Sequence, residues 1–238
     1  MVYARRTSHT EDHNTEKGSL LKEIILGGQD GLVNVLGIIL GVATATSDTR
    51  IVLISGLAAA FAESISMGAV AYSSTRAEKQ FYQAQKQKEL YEIEKMPKVE
   101  EKEIYDIYYE KGFRGKQLDS IVKKIISDKD LWLKEMMEQE LRLYSTEHRS
   151  SIKSAWIVFY ASFLGSIIPL IPFFLMSISS AVVVSILVSV IILFGAGVWK
   201  AKLTIGSPWK NGIEMAILGI VAALLGYVIG KVLENLPL

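Results

Sequence analysis

From about Leu20 onward the chain alternates long apolar runs with charged stretches, and the lengths of the runs predict membrane-crossing helices. A bilayer-spanning helix needs ~20 mostly apolar residues. The first such run starts at Leu20 or Ile24 and ends at Ala45, IILGGQDGLVNVLGIILGVATA. A short polar turn, Ser47 to Arg50, leads to the second, Ile51 to Thr75. The uncharged stretch Ser154 to Trp199 is too long for one span at ~1.5 Å per residue and fits two. Pro169 and Pro172, followed by Ser177, Ser179 and Ser180, put the reversal near Met176 to Ser180. A fifth run covers Gly212 to Ile229. The second run passes without a breaker into RAEKQFYQAQKQKELYEIEK, which predicts a helix that continues beyond the bilayer into a polar insertion.

That insertion has a helical pattern of its own. Its first helix must stop before Pro97, because the residue preceding a proline disfavours helical backbone. A second, Lys98 to Lys111, ends at Gly112. A third, Lys116 to Ile126, carries an apolar stripe of Leu118, Ile121, Val122, Ile125 and Ile126. Ser127 or Asp128 can cap a fourth, which runs through LWLKEMMEQELRLY toward the third span. The predicted fold is therefore all-α: a polytopic membrane protein with five transmembrane helices and a helical insertion between spans two and three. Its parts are a flexible tail at 1–19, spans one and two at 20–75, the insertion at 76–150, and spans three to five at 151–238.

Composition sharpens this picture only when taken by region. Hydrophobic residues make up 50% and charged residues 21% of the 238 residues, with a formal net charge of +1. Most charge lies before Glu23 or between Arg76 and Lys153, so the averages describe two populations and give no reason to expect nucleic acid as a partner. The chain has no cysteine, which excludes thiolate metal sites and disulfides. The first residues, MVYARRTSHTEDHNTEKGS, lack an apolar core and do not form a cleavable signal peptide. Arg5, Arg6, Lys17 and Lys22, the lysine-rich insertion, and Lys200, Lys202 and Lys210 all fall on one side of a five-span layout. The opposite side offers Arg50 and Lys231. The positive-inside rule then makes the tail and the insertion cytoplasmic and puts the C-terminus on the other side.

Polar residues inside the apolar runs carry the chemistry. Asp30 and Asn34 stand one helical turn apart in span one, and Glu63 lies near the middle of span two, one turn before Met67. An ionisable group at that depth costs at least a few kcal/mol and usually faces a bundle interior, a partner or a pathway. The plainer alternative is that Asp30 lies near the membrane edge and only hydrogen-bonds. A carboxylate beside a thioether suits a cation that accepts hard and soft ligands. By depth, Asp30 is expected nearer the cytoplasm than Glu63, with Met67 between them. Gly27 and Gly31, and Gly37 and Gly41, have the small-xxx-small spacing that lets another helix approach closely.

In the insertion, Glu89 and Glu92 stand three apart before Pro97, and Glu100 and Glu103 three apart after it, so a hairpin brings both pairs together. Glu140 follows one turn after Met136, beside Met137. Helices that direct several carboxylates inward hold metal in di-iron bundles. The alternative is a solvated face with lysines nearby. His9, His13 and His148 are weaker candidates at the membrane surface or in the tail.

DGLVNVLGIILGV in span one, GLAAAFAESISMGA in span two and the acidic insertion together resemble the vacuolar iron transporter family, from about Leu20 to the C-terminus. The resemblance implies a homodimer across the first spans, a second span that extends into a cytoplasmic metal-binding module, and Fe2+ moved out of the cytoplasm in exchange for protons, with Mn2+ or other divalent transition metals as further ions. It carries over Asp30 and Met67 as membrane-site residues, Glu89, Glu92, Glu100, Glu103 and Glu140 as module ligands, and Met136 and Met137 as the module's methionines. One position departs. Many members read roughly S-M-A-A-G-E-Y here, whereas Ser66 to Tyr72 is SMGAVAY, without that glutamate. Glu63 is placed to supply the missing carboxylate.

The expectation is a secondary transporter, not an enzyme and without an organic cofactor, whose partners are divalent ions, protons and the bilayer. There is no Gly-rich phosphate loop to indicate ATP drive, and the E-x-x-H pairs of a di-iron oxidase are missing from the insertion. The competing expectation is a membrane-anchored metal-binding or sensing protein that uses the module without transport.

Overall fold

The computed structural model describes residues 15–144, 150–204 and 206–234. His9, His13, His148 and the C-terminal Leu238 lie outside the described residues. All regular structure among them is helical: α1 (Thr15–Thr46), α2 (Thr49–Lys95), α3 (Pro97–Glu110), α4 (Gly115–Ile126), α5 (Lys129–Glu135) extended by a π-helical turn Met136–Glu140, α6 (Ser151–Ile167), a 3-10 turn Ile168–Leu170, α7 (Ile171–Leu175), α8 (Ile178–Leu203) and α9 (Pro208–Glu234). Among the described residues, five helical segments are long and apolar enough to cross a membrane: Gly18–Thr46, Thr49–Lys95, Ser151–Leu175, Ile178–Leu203 and Pro208–Glu234. The protein is an integral membrane protein. Helix α1 already includes residues 15 to 19, which the sequence pattern gave to the tail. The chain divides into two compact units, one made of the residues through Tyr72 with those from Ile152 onward, the other of Ser73–Ser151.

The membrane unit is built on α1. Val35, Leu36, Ile39, Leu40 and Ala43 are buried along it, in one cluster with Val52 and Ala60 of α2, Leu170, Phe173, Ala181 and Ala223. Its two glycine pairs face different helices of the same chain. A Cβ at Gly31 would run into Ser162 of α6, and one at Gly165 into the Gly28 carbonyl. On α9, a Cβ at Gly226 or Gly230 would meet the Gly37 or the Gly41 carbonyl. Without a hydrophobic drive between helices in lipid, such backbone contact is what gives close packing its energy. Gly37 and Gly41 therefore serve contact with α9 within the chain, where the resemblance had drawn attention to contact between copies.

The prolines act as their chemistry requires. Pro172 has no N–H to give the Pro169 carbonyl three residues back, and Ser185 Oγ of α8 donates to that oxygen at 2.7 Å. The helix tightens to 3-10 geometry at Ile168–Leu170, continues as α7, and reverses at Met176 and Ser177, at the start of the predicted stretch.

Helix α2 is unbroken over its 47 residues. In the second unit, Pro97 takes the first position of α3 after a break at Met96, and Gly112 adopts φ +99° just after α3 ends, where a Cβ would be strained. Asp128 caps α5 by accepting from the Asp130 and Leu131 amides. The core joins Ile93, Ile104, Leu118, Val122, Ile125, Trp132, Leu133, Met136 and Met137. The last helix is shorter than the sequence implied. It widens into the π-turn, where Leu141 N–H donates to the Met136 carbonyl at 3.2 Å, and ends before Arg142, whose φ is 54°.

Candidate functional site

Two groups of polar side chains are assembled, one in each unit. In the module, the break at Pro97 turns α3 back from the end of α2, so Glu89 and Glu92 on one helix and Glu100 and Glu103 on the next share a neighbourhood with Glu140 of the π-turn. Glu89 is 2% and Glu100 3% exposed. Oε2 of Glu100 is buried with no hydrogen-bond partner among the described residues. Burial, then repulsion from Glu103, Glu89, Glu92 and Glu140, pushes the Glu100 carboxyl up to about 7. Burial, then repulsion from Glu103, Glu89 and Glu92 against the pull of Lys88, pushes Glu140 up to about 7 as well. Glu140 keeps an exposed surface. A buried carboxylate surrounded by others needs a proton or a cation.

Lys88 supplies one positive charge, 3.4 Å from Glu92. No group of three or more His, Cys, Asp or Glu among the described residues is drawn together closely enough to hold a metal ion as it stands. The carboxylates interact through the field they share and are not locked into a cage. Met136 is 0% and Met137 2% exposed, both within the apolar core. The π-turn that they open is a distortion often found at functional sites, and it sets the angle at which Glu140 leaves the helix.

In the membrane unit, Asn34 Nδ2 donates to Glu63 Oε1 at 2.9 Å. The Asp30 carboxyl is also within hydrogen-bonding reach of Glu63. Asp30, Glu63 and Met67 are half-buried, and Asn34 is exposed on the surface of the protomer. The two acids thus meet at one level, and the staggered ladder expected from depth is corrected. The reason lies in the turn. Asp30 stands 17 residues before Ser47 (47 − 30) and Glu63 15 after Asp48 (63 − 48), so in antiparallel helices their depths differ by only ~3 Å. Met67 lies one turn beyond Glu63 on α2, past both acids and not between them.

Two polar contacts escape the sequence pattern. Asn34 was visible as the i+4 neighbour of Asp30, but its partner on α2 was not. Ser154 Oγ donates to Glu23 Oε1 at 2.7 Å in a buried pair 131 residues apart, and nothing local signals it.

The family model described as VIT family matches residues 21–231 of the chain. Three relatives are similar to it. "Vacuolar iron transporter 1" of Arabidopsis thaliana is 30% identical over 229 residues, covering 94% of this chain and 92% of the relative. "Vacuolar iron transporter" of Plasmodium falciparum (isolate 3D7) is 30% identical over 243 residues, covering 98% and 89%. "Vacuolar iron transporter" of Toxoplasma gondii (strain ATCC 50861 / VEG) is 32% identical over 236 residues, covering 95% and 78%.

Proposed function

The chain belongs to the VIT family, and on that premise we propose that it is a secondary transporter moving Fe2+, with Mn2+ as a second ion, out of the cytoplasm in exchange for protons. The observation that carries this reading is the meeting of Asp30, Asn34 and Glu63 between two membrane-spanning helices. Two carboxyls side by side at mid-membrane cannot both stay ionised and bare at tolerable cost. A divalent cation satisfies them, and so do protons when the cation has left. That mutual exclusion is the physical requirement for exchange. Met67 adds a soft ligand one turn away, which favours Fe2+ over a harder ion.

The module's Glu89, Glu92, Glu100, Glu103 and Glu140, with the thioethers of Met136 and Met137, serve in this reading to collect ions on the cytoplasmic side. The positive-inside pattern supports that orientation. An exposed Asn34 at the depth of the acids supports a homodimer, since a second copy would shield it from lipid. The printed names of the relatives support iron as cargo. The test is metal flux in sealed proteoliposomes, with and without a pH gradient, for Fe2+ and Mn2+. Flux that the gradient drives is expected. Metal binding without flux would instead assign the protein to sensing or storage.

A further inference from the structure

We propose that Asn34 is a positioning and selectivity residue of the intramembrane site, its carboxamide N–H fixing one oxygen of Glu63 and its carbonyl oxygen serving as a neutral ligand to the transported ion. The inference rests on the proposed transport reading of Asp30 and Glu63. Its starting point is the 2.9 Å bond from Asn34 Nδ2 to Glu63 Oε1, the one polar link that the structure gives between Asn34 and α2. The acceptor settles which way the carboxamide points, because its carbonyl oxygen turned toward a carboxylate would be repelled.

The rest of the side chain supplies the second observation. The other amide N–H and the carbonyl oxygen have no partner among the described residues, although Asn34 sits at the depth of the two acids within an apolar span. A polar group left unsatisfied in hydrocarbon costs several kcal/mol, so that half of the carboxamide is expected to meet something polar when the protein works. Asp30 lies one turn earlier on the same face of α1. Asn34 also lines a groove of about 520 Å3 among α1, α2 and α9, at the end away from the Ser47–Asp48 turn; toward that turn the groove is lined mainly by glycines and apolar side chains such as Val42 and Ile229. Neither acid lines that groove, and its other polar lining residues, Thr46 and Ser55, lie toward the turn, so Asn34 is the polar side chain at the end of the groove nearest an ion held between Asp30 and Glu63.

The chemical consequence concerns both geometry and selectivity. With Oε1 held by the amide, Glu63 offers chiefly Oε2 to the cation and binds it through one oxygen. A neutral carbonyl adds an oxygen ligand without adding charge, which helps the ion bind without making its release harder. Oxygen ligands favour Mn2+ and thioether favours softer ions, so Asn34 and Met67 would set the balance between Mn2+ and Fe2+ from opposite sides.

The test compares Asn34→Leu, Asn34→Gln, Met67→Leu and Asp30→Asn in proteoliposomes at a fixed pH gradient, with Fe2+ and Mn2+ each titrated. Asn34→Leu keeps the volume and suits an apolar span. It is expected to raise KM about tenfold, the scale of one lost hydrogen bond to a charged group, with a larger effect on Mn2+ than on Fe2+ and little change in flux at saturation. Asn34→Gln keeps the carboxamide and is expected to recover part of the Mn2+ affinity. A purely structural role would lower saturating flux of both ions equally and leave their ratio unmoved. That result, or a wild-type KM for both ions in Asn34→Leu, overturns the inference while an inactive Asp30→Asn leaves the parent reading standing. Wild-type flux in Asp30→Asn would overturn the parent reading itself.

Discussion

Glu100 gives the sharpest quantitative test of the module. Its carboxyl is 3% exposed, lacks a hydrogen-bond partner on Oε2 among the described residues, and is pushed from an ordinary value of 4.5 up to about 7. In the unfolded chain it loses its proton near the ordinary value, whereas in the folded module it keeps it until about 7. Between those two pH values the folded state binds more protons than the unfolded one, so stability falls as pH rises. The full cost is present above about pH 7 and absent below about pH 4.5. At 1.36 kcal/mol per pH unit it amounts to about 3 kcal/mol, or roughly 100-fold in the opening equilibrium. Glu100→Gln removes the charge and nearly keeps the shape. Amide hydrogen exchange of α3 in the full-length, metal-free protein, corrected for the intrinsic pH dependence of exchange, measures local opening. In the wild type, protection of residues 97–110 should drop by up to about 100-fold from pH 5 to pH 8, and Fe2+ should restore it. In Glu100→Gln the drop should shrink to the part that Glu140, also pushed up to about 7, still contributes, and Fe2+ should restore less. A flat wild-type profile, or a variant as pH-dependent as the wild type, would refute the claim that buried carboxylate repulsion loosens the module.

Further outcomes follow from other positions. Met67→Leu keeps apolar volume and removes the sulfur, so Fe2+ flux should fall several-fold more than Mn2+ flux; equal loss of both would remove the thioether from selectivity. Gly226→Val should destabilise the membrane unit by about 1–3 kcal/mol, read as a lower melting temperature in detergent, because its side chain meets the Gly37 backbone. An unchanged melting temperature would show that α1 and α9 have room to separate. A reporter fused to the C-terminus should behave as non-cytoplasmic, and a cytoplasmic signal would overturn the orientation drawn from the lysine pattern.

The parts of the fold that depend on local chemistry could be read from the chain. Apolar length marks the spans, Pro97 and Gly112 mark helix ends, and the spacing of Leu118, Val122 and Ile125 marks a buried face. The parts that depend on which helices become neighbours could not. Gly37 and Gly41 advertise a close approach but do not name α9 as the partner, and Ser154 reaches Glu23 across 131 residues. The level meeting of Asp30 and Glu63 is an intermediate case. Counting from the turn at Ser47 and Asp48 predicts it, whereas judging each acid by its position within its own span places them apart. The π-turn at Met136–Glu140 has no sequence signature, because five good helix formers give no sign of an extra residue per turn.

Exchange at Asp30 and Glu63 is tested most directly by following Fe2+ and protons together in the same proteoliposomes. In the wild type, Fe2+ movement should be accompanied by opposite proton movement at a constant ratio. Asp30→Asn, which removes the charge but nearly keeps the shape, should abolish both while the protein stays folded. Fe2+ flux in the wild type without opposing proton movement, or coupled flux that survives in Asp30→Asn, would show that Asp30 and Glu63 are not the exchange site.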